Sequence, residues 1–249
     1  MAGLGQRFVN AGYQDPKPLI QIQGKPAIEH IVGLFPGKHD FVFICNSTHL
    51  KETKMREILT RIKPEGKIIE IDPHRNGPVH TVLEAGSLVN DEKPSLVCYC
   101  DIFVRWDFQD FEKTVAEKKH DGCLVCFTGF HPPLIREGYY AGVKEGKDLT
   151  AEAVKEKFSF TEDKTEGWNS AGVYYFKSGG LMKKYLQKLI NTGIRTNNEF
   201  YISSVHDLMI QDGLTNGIYP VDYFISWGNP QDLREYVYWS NYFSKVDEN

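Results

Sequence analysis

The sequence has no apolar run approaching the ~18–20 residues that a membrane-crossing helix needs, so no transmembrane segment is expected. It has no excess of positive charge. Twenty-nine Lys and Arg stand against 33 Asp and Glu, a net −4, which excludes a chain held to nucleic acid by general basic character. A local basic pocket for a phosphorylated small molecule stays open. The opening MAGLGQRF has no basic stretch leading into an apolar one, so no secretory signal is expected. Cysteines number only five, an odd count in 249 residues, which makes no disulfide framework and points to a reducing cytoplasm. Repeats, low-complexity tracts and linkers are lacking, so one continuous domain is expected. With 41% hydrophobic and 25% charged residues, the chain is able to bury a real core.

Short apolar runs alternate with segments of helical period. Residues 41–46, 67–71, 95–100, 123–128, 172–176 and 217–226 read as strands, and 49–62, 79–89, 107–118, 178–191 and 198–212 as helices, with a last helix from about Gln231. This alternation predicts a largely parallel sheet covered on both faces, and continuously apolar strands fit that burial. Cys123-Leu-Val-Cys126 has zinc-like spacing, but on a strand residues three apart face opposite ways, so both read as packing cysteines. His74, His80, His131 and His206 show no ligand spacing and read as ordinary loop or helix residues. The aromatic end, Tyr236 to Phe243, reads as a helix packing back on the sheet.

The most informative stretch is Gly3-Leu4-Gly5-Gln6-Arg7-Phe8, then Pro16-Lys17-Pro18. Closely spaced glycines permit a tight turn that exposes amide N–H groups to an anion, or simply a tight turn. Arg7 adds a forked cation for phosphate oxygens, and Lys17 a mobile one between stiffening prolines. A dinucleotide fingerprint fails because Phe8 stands where its third glycine belongs, and no Walker loop is present.

Together with Gly24-Lys25-Pro26 leading into a helix, this stretch resembles the signature of the sugar-phosphate nucleotidyltransferases, the nucleotide-sugar pyrophosphorylases. Further resemblances follow in order: Gly77-Pro78 to the second glycine-containing loop near the nucleobase, and Tyr99-Cys100-Asp101 to the metal-binding Asp. Glu156-Lys157 resembles the family's Glu-Lys pair, with Phe158 in place of proline, and Asn169 to Tyr174 the sugar-pocket segment. Trp227 to Leu233 resembles the late Gly-Thr-Pro-Glu-Asp-Leu motif, with Asn229 and Gln231 as departures.

The resemblance implies a reaction in which an acceptor phosphate, usually of a sugar 1-phosphate, attacks the α-phosphorus of a nucleoside triphosphate and expels pyrophosphate. Arg7 and Lys17 would be catalytic, through the β,γ- and α-phosphates respectively. Gly3, Gly5, Asp72 and Gly77 would bind nucleotide, and Glu156, Lys157, Asn169 and Gly172 the acceptor. Asp101 would hold Mg²⁺, although on its own it also reads as a cap or turn residue. Ser226 stands where many members carry a second metal-binding Asp, and Asp222, earlier on the expected 217–226 strand, does not substitute. Asp107 reads as a helix N-cap. Asp72 only accepts hydrogen bonds, which favours CTP or GTP over UTP or TTP, unless it merely belongs to a Pro-containing turn.

The expected fold is α/β: a single Rossmann-like nucleotidyltransferase domain over 1–249 with a mostly parallel central sheet and helices on both faces. About 1–130 would bind nucleotide, and about 131–249 the acceptor phosphate, ending in a C-terminal helix. Glycines 129, 138, 142 and 146 would let the 129–150 loop move. The phosphate loop begins at residue 3, so the first strand is expected to be missing. The partners expected are a nucleoside triphosphate and a phosphorylated small molecule, with no nucleic acid or membrane, and a homo-oligomer is compatible. The alternatives are a cytidylyltransferase acting on a non-sugar phosphate and a non-catalytic nucleotide-binding relative.

Overall fold

The apolar run Gly122–Phe127 is buried at every position, and its alternate side chains enter two different cores. Cys123, Val125 and Phe127 join one, Leu124 and Cys126 the other. Burial on both faces is why this strand shows no polar alternation. It also sets the two sulfurs on opposite sides of the sheet, so they cannot share a metal.

The computed structural model describes residues 1–136 and 140–246, with side chains to 244; Gly138 lies outside the described residues. In chain order the first half contains α1 (Gln6–Asn10), β1 (Gln21–Ile22), β2 (Lys25–Pro26), α2 (Ala27–Gly33), β3 (Val42–Asn46), α3 (Ser47–Glu52), α4 (Met55–Ile62), β4 (Lys67–Ile71), α5 (Pro78–Glu84), β5 (Ser95–Cys98), β6 (Ile102–Arg105) and α6 (Phe108–Lys118). There follow β7 (Gly122–Phe127), α7 (Pro132–Ile135), β8 (Gly142–Glu145), β9 (Ala151–Lys155), β10 (Trp168–Phe176), α8 (Gly179–Thr192), α9 (Ile202–Gln211), β11 (Asn216–Pro220), β12 (Tyr223–Ser226) and α10 (Pro230–Val246).

β7 and β11 pair in parallel, while β5 and β7 both pair antiparallel with β10 between them, so β5, β7 and β11 run one way. β3 and β4 form a second parallel pair. The expected parallel framework is therefore present, with β10 inserted against its direction. The antiparallel strands β8 and β9 extend the sheet beyond the first residues of β10. Helices cover both faces. Ile28 and Ile31 of α2, Leu59 of α4, Phe111 of α6 and Leu233 of α10 enter one core. Val79 of α5, Leu186 of α8 and Val205 of α9 enter the other.

The β3/β4 pair is not hydrogen-bonded to the larger sheet, and among the described residues no strand covers the free edge of β3 or of β5. Burial raises the Cys45 thiol of β3 to about 11, and the Met1 amine charge pulls against the rise.

Several expectations change: the 79–89 helix ends at Glu84 ahead of a 3₁₀ turn at Gly86–Leu88, and the 129–150 loop contains α7 and β8. The 49–62 helix divides at Thr53, whose hydroxyl donates to His49 O at 2.6 Å and accepts from Met55 N at 3.2 Å, ending α3 and starting α4. The 217–226 strand divides into β11 and β12, leaving Asp222 exposed between them rather than on one strand with Ser226. In α10, Leu233, Tyr236 and Val237 pack inward, but Tyr238, Trp239, Tyr242 and Phe243 are exposed. Asp107 caps α6 as expected, accepting from Gln109 N and Asp110 N at 3.0 Å each.

Candidate active site

Gly5 sits at φ 61°, a left-handed conformation that glycine adopts without cost, and it turns the chain into the single-turn helix α1. Neither Gly3 nor Gly5 has an atom within 4 Å of where a Cβ would stand, so the loop's backbone is open on that side. Arg7 projects from α1 and is exposed, whereas the next residue, Phe8, is buried against Tyr13. The Phe8 ring also lies 5.3 Å from the Lys17 ammonium. Lys17 starts a 3₁₀ turn set by Pro16 and Pro18.

Lys17 Nζ donates to Asp101 Oδ2 at 2.8 Å and to Gly228 O at 3.2 Å. Burial by itself would lower the Lys17 pKa, but the Asp101 carboxylate outweighs it, and the pKa is raised above the usual lysine value. Asp101 follows the carboxyl end of β5, and its carbonyl accepts from Trp227 N at 2.7 Å. That backbone bond brings the late motif onto the early one. Ser226 Oγ accepts from Gly228 N at 3.2 Å. A Cβ on Gly228 would stand 3.2 Å from Ser226 Oγ and 3.4 Å from Asp101 Oδ2, so the serine hydroxyl and the carboxylate both border Gly228.

Asp72 follows β4 and accepts from Ser47 Oγ at 3.3 Å, so two strand ends meet where a base-reading residue was expected. Gly77, at φ 93°, is required by packing as well as conformation: a Cβ would lie 2.6 Å from Phe200 O. Phe200 N donates to Asn76 O at 3.0 Å, and Val79 N to Phe200 O at 3.2 Å. The Gly77 loop is thus tied by its backbone to the segment before α9.

That segment supplies residues the sequence reading missed. Tyr201 donates to Glu199, and Ser203 donates to Glu156. The Lys157 ammonium lies 5.2 Å from the Tyr201 ring centroid, with Lys157 itself held at φ 53°. Burial raises the Glu156 pKa, opposed by the Ser203 hydrogen bond and the Lys157 charge. Tyr201 is raised by burial and by its bond to Glu199, while the Arg7 charge pulls it back. The Arg7 charge acts on Lys17 as well, tending to lower its pKa. One signal was available: Tyr201 occupies the N-cap of α9 without capping it, where Ser, Thr, Asp or Asn is the rule.

Two other expected acceptor residues take supporting positions. Asn169 is buried and donates to Lys164 O at 3.0 Å and Gly167 O at 2.8 Å, so both amide hydrogens hold a turn and any acceptor contact falls to Oδ1. Gly172, at φ 81° in the β10 irregularity, leaves a Cβ position only 3.0 Å from the Tyr99 ring, and its carbonyl accepts from Tyr99 N at 3.0 Å.

An open α/β sheet with a glycine loop, two lysines, an arginine and a carboxylate presents the residue types that phosphate-handling sites use. Comparison narrows the class. Residues 1–219 match the family model for nucleotidyl transferases, and the chain belongs to that family. It is 23% identical over 218 residues to the bifunctional protein GlmU of Cupriavidus necator, matching 86% of this chain but 44% of that protein, so it spans less than half the relative's length. Its fold is similar to that of the nucleoside-diphosphate-sugar pyrophosphorylase from Vibrio cholerae, with a TM-score of 0.76, 22% identity, and coverage of 95% of this chain and 97% of the other. The UTP-bound UGPase from Acinetobacter baumannii superposes with a TM-score of 0.67, at 19% identity over 95% of this chain and 89% of the other. Among the described residues no helix is long and apolar enough to cross a membrane.

Proposed function

We propose that this chain joins a nucleoside triphosphate to a sugar 1-phosphate, releasing pyrophosphate and forming a nucleotide sugar that feeds surface polysaccharide synthesis. The observation that carries the reading is the meeting of Lys17, Asp101 and Gly228, three residues far apart in sequence, with Arg7 on the preceding glycine loop and Lys157 over Tyr201 as further cations. A phosphate attacking a phosphate needs two anions held in line and their charge offset, which is what this cation distribution supplies. Arg7 and the Gly3–Gly5 loop bind the triphosphate, Lys17 offsets charge at the α-phosphate, and Lys157 holds the acceptor's phosphate. Glu156, oriented by Ser203, accepts from sugar hydroxyls. Asp72, beside Ser47, reads the amino group of cytosine or guanine, making CTP or GTP the favoured substrate.

Mg²⁺ fits the donors present. The Lys17 ammonium already draws a carboxylate oxygen and a carbonyl oxygen onto one positive charge, and hard oxygens are what Mg²⁺ prefers. Among the described residues no group of three His, Cys, Asp or Glu side chains is placed to hold a metal, so Asp101 would share the ion with phosphate oxygens and water. When bound, the ion would supply charge neutralisation at the phosphates. The test is pyrophosphate release across the four nucleoside triphosphates and a panel of sugar and non-sugar phosphates. Lys17→Ala and Asp101→Ala should each lower turnover at least a hundredfold with an unchanged circular dichroism spectrum. Turnover confined to a non-sugar acceptor would defeat the sugar reading and favour a cytidylyltransferase of another phosphate.

A further inference from the structure

Lys17 is placed where it does more than wait for a phosphate. Its ammonium sits on Asp101 Oδ2 at 2.8 Å and on Gly228 O at 3.2 Å, so one cation already takes up the oxygens that face the late motif. The pair is largely withdrawn from water, the two side chains being 23% and 21% exposed, which strengthens their attraction beyond that of a surface pair. Lys17 is also restrained: its turn is set by prolines on either side, and its ammonium lies against the Phe8 ring. A divalent ion approaching Asp101 Oδ2 must therefore displace an ordered ammonium and leave it partly buried without its partner.

We propose that Lys17 is a cation latch: it holds Asp101 closed to a divalent metal until a polyphosphate draws the ammonium away. The proposal rests on the reading of Asp101 as the cation ligand given above. It adds an order of events. The free protein takes up little metal, and the ion enters with the nucleotide or after it, because only the nucleotide's anionic charge offers Lys17 a better partner. The same contact explains how a site with a single carboxylate avoids collecting stray divalent ions between turnovers. Ser226, a neutral hydroxyl that borders Gly228 as Asp101 does, adds no second negative charge to compete with the latch.

The test uses Mn²⁺ alone, with binding to the full chain followed by loss of the free-ion electron paramagnetic resonance signal. Lys17→Met keeps the apolar stem on Phe8 and removes the charge; it should bind Mn²⁺ at least tenfold more tightly than the wild type. Lys17→Arg keeps a cation and should stay within about threefold of the wild type. The double variant Lys17→Met/Asp101→Asn should lose the gain. Equal Mn²⁺ affinity in the wild type and Lys17→Met overturns the latch. The underlying reading is judged separately: it fails if Asp101→Asn leaves Mn²⁺ binding unchanged both with and without a non-hydrolysable nucleoside triphosphate.

Discussion

Acidification should destabilise this protein through two buried histidines, His206 and His131. His206 lies on α9, fully buried against Tyr174 and Phe176. Its Nδ1 donates to Asn216 Oδ1 at 2.7 Å, and the Asn216 amide is oriented by its own donation to Leu214 O at 3.3 Å. Nε2 is buried without a partner, so a proton added there would be a desolvated charge with nothing to accept it. Burial accordingly lowers the His206 pKa to about 4, with the Asn216 hydrogen bond acting weakly the other way. His131 falls to about 4 as well, through burial and then the nearby Arg136 charge.

The unfolded chain binds these protons near pH 6.5 and the folded chain does not, so stability is full above about 6.5 and declines as pH falls toward 4. At pH 5 each histidine costs about 2 kcal/mol relative to pH 7.5, roughly 4 kcal/mol for the pair, a large part of a typical domain's stability. Urea denaturation at pH 7.5 and pH 5 measures the loss. His206→Gln, which keeps a donor for Asn216 but does not titrate, should show a loss smaller by about 2 kcal/mol. Comparing losses cancels any cost of the substitution itself and the contributions of the other titrating groups. An identical pH-dependent loss in wild type and variant would refute the reasoning.

The other expectations are more local. Gly172→Ala should destabilise by about 1–3 kcal/mol, because it forces a side chain into a left-handed conformation, and it should raise the acceptor's KM more than it lowers kcat by crowding the Tyr99 ring, which would lie 3.0 Å from the new Cβ. Its urea midpoint and steady-state kinetics check both parts. Asp107→Ala removes the α6 cap and should cost about 1 kcal/mol without changing turnover; a change in kcat would return Asp107 to the site. For the proposed catalytic cluster, Lys17→Ala and Asp101→Ala should each lower pyrophosphate release at least a hundredfold with the fold intact, as measured by a coupled phosphate assay and circular dichroism.

Much of the fold was legible because its cause is local. An uninterrupted apolar run such as Gly122–Phe127 has a backbone that must pair and side chains that must be covered on both faces, and those demands are met by neighbouring βα units whatever their details. Boundaries set by one side chain's hydrogen bond were not legible: Thr53 divides a helix by bonding the preceding turn, and no periodicity announces it. The exposed aromatics of α10 show the opposite failure, since a pattern favouring burial does not say what remains to bury against.

The candidate site divides in the same way. Residue type and spacing alone marked a glycine loop, Arg7 and Lys17 as candidates for one phosphate cradle, because those side chains are close in the chain and share one chemistry. Only the tertiary structure decided that Lys17 grips Asp101 and Gly228, that Gly77 abuts Phe200, and that Tyr201 lies under Lys157. Those contacts join residues brought together by backbone bonds between distant strand ends, and a carboxylate's partner is chosen by what the fold places within three ångströms of it.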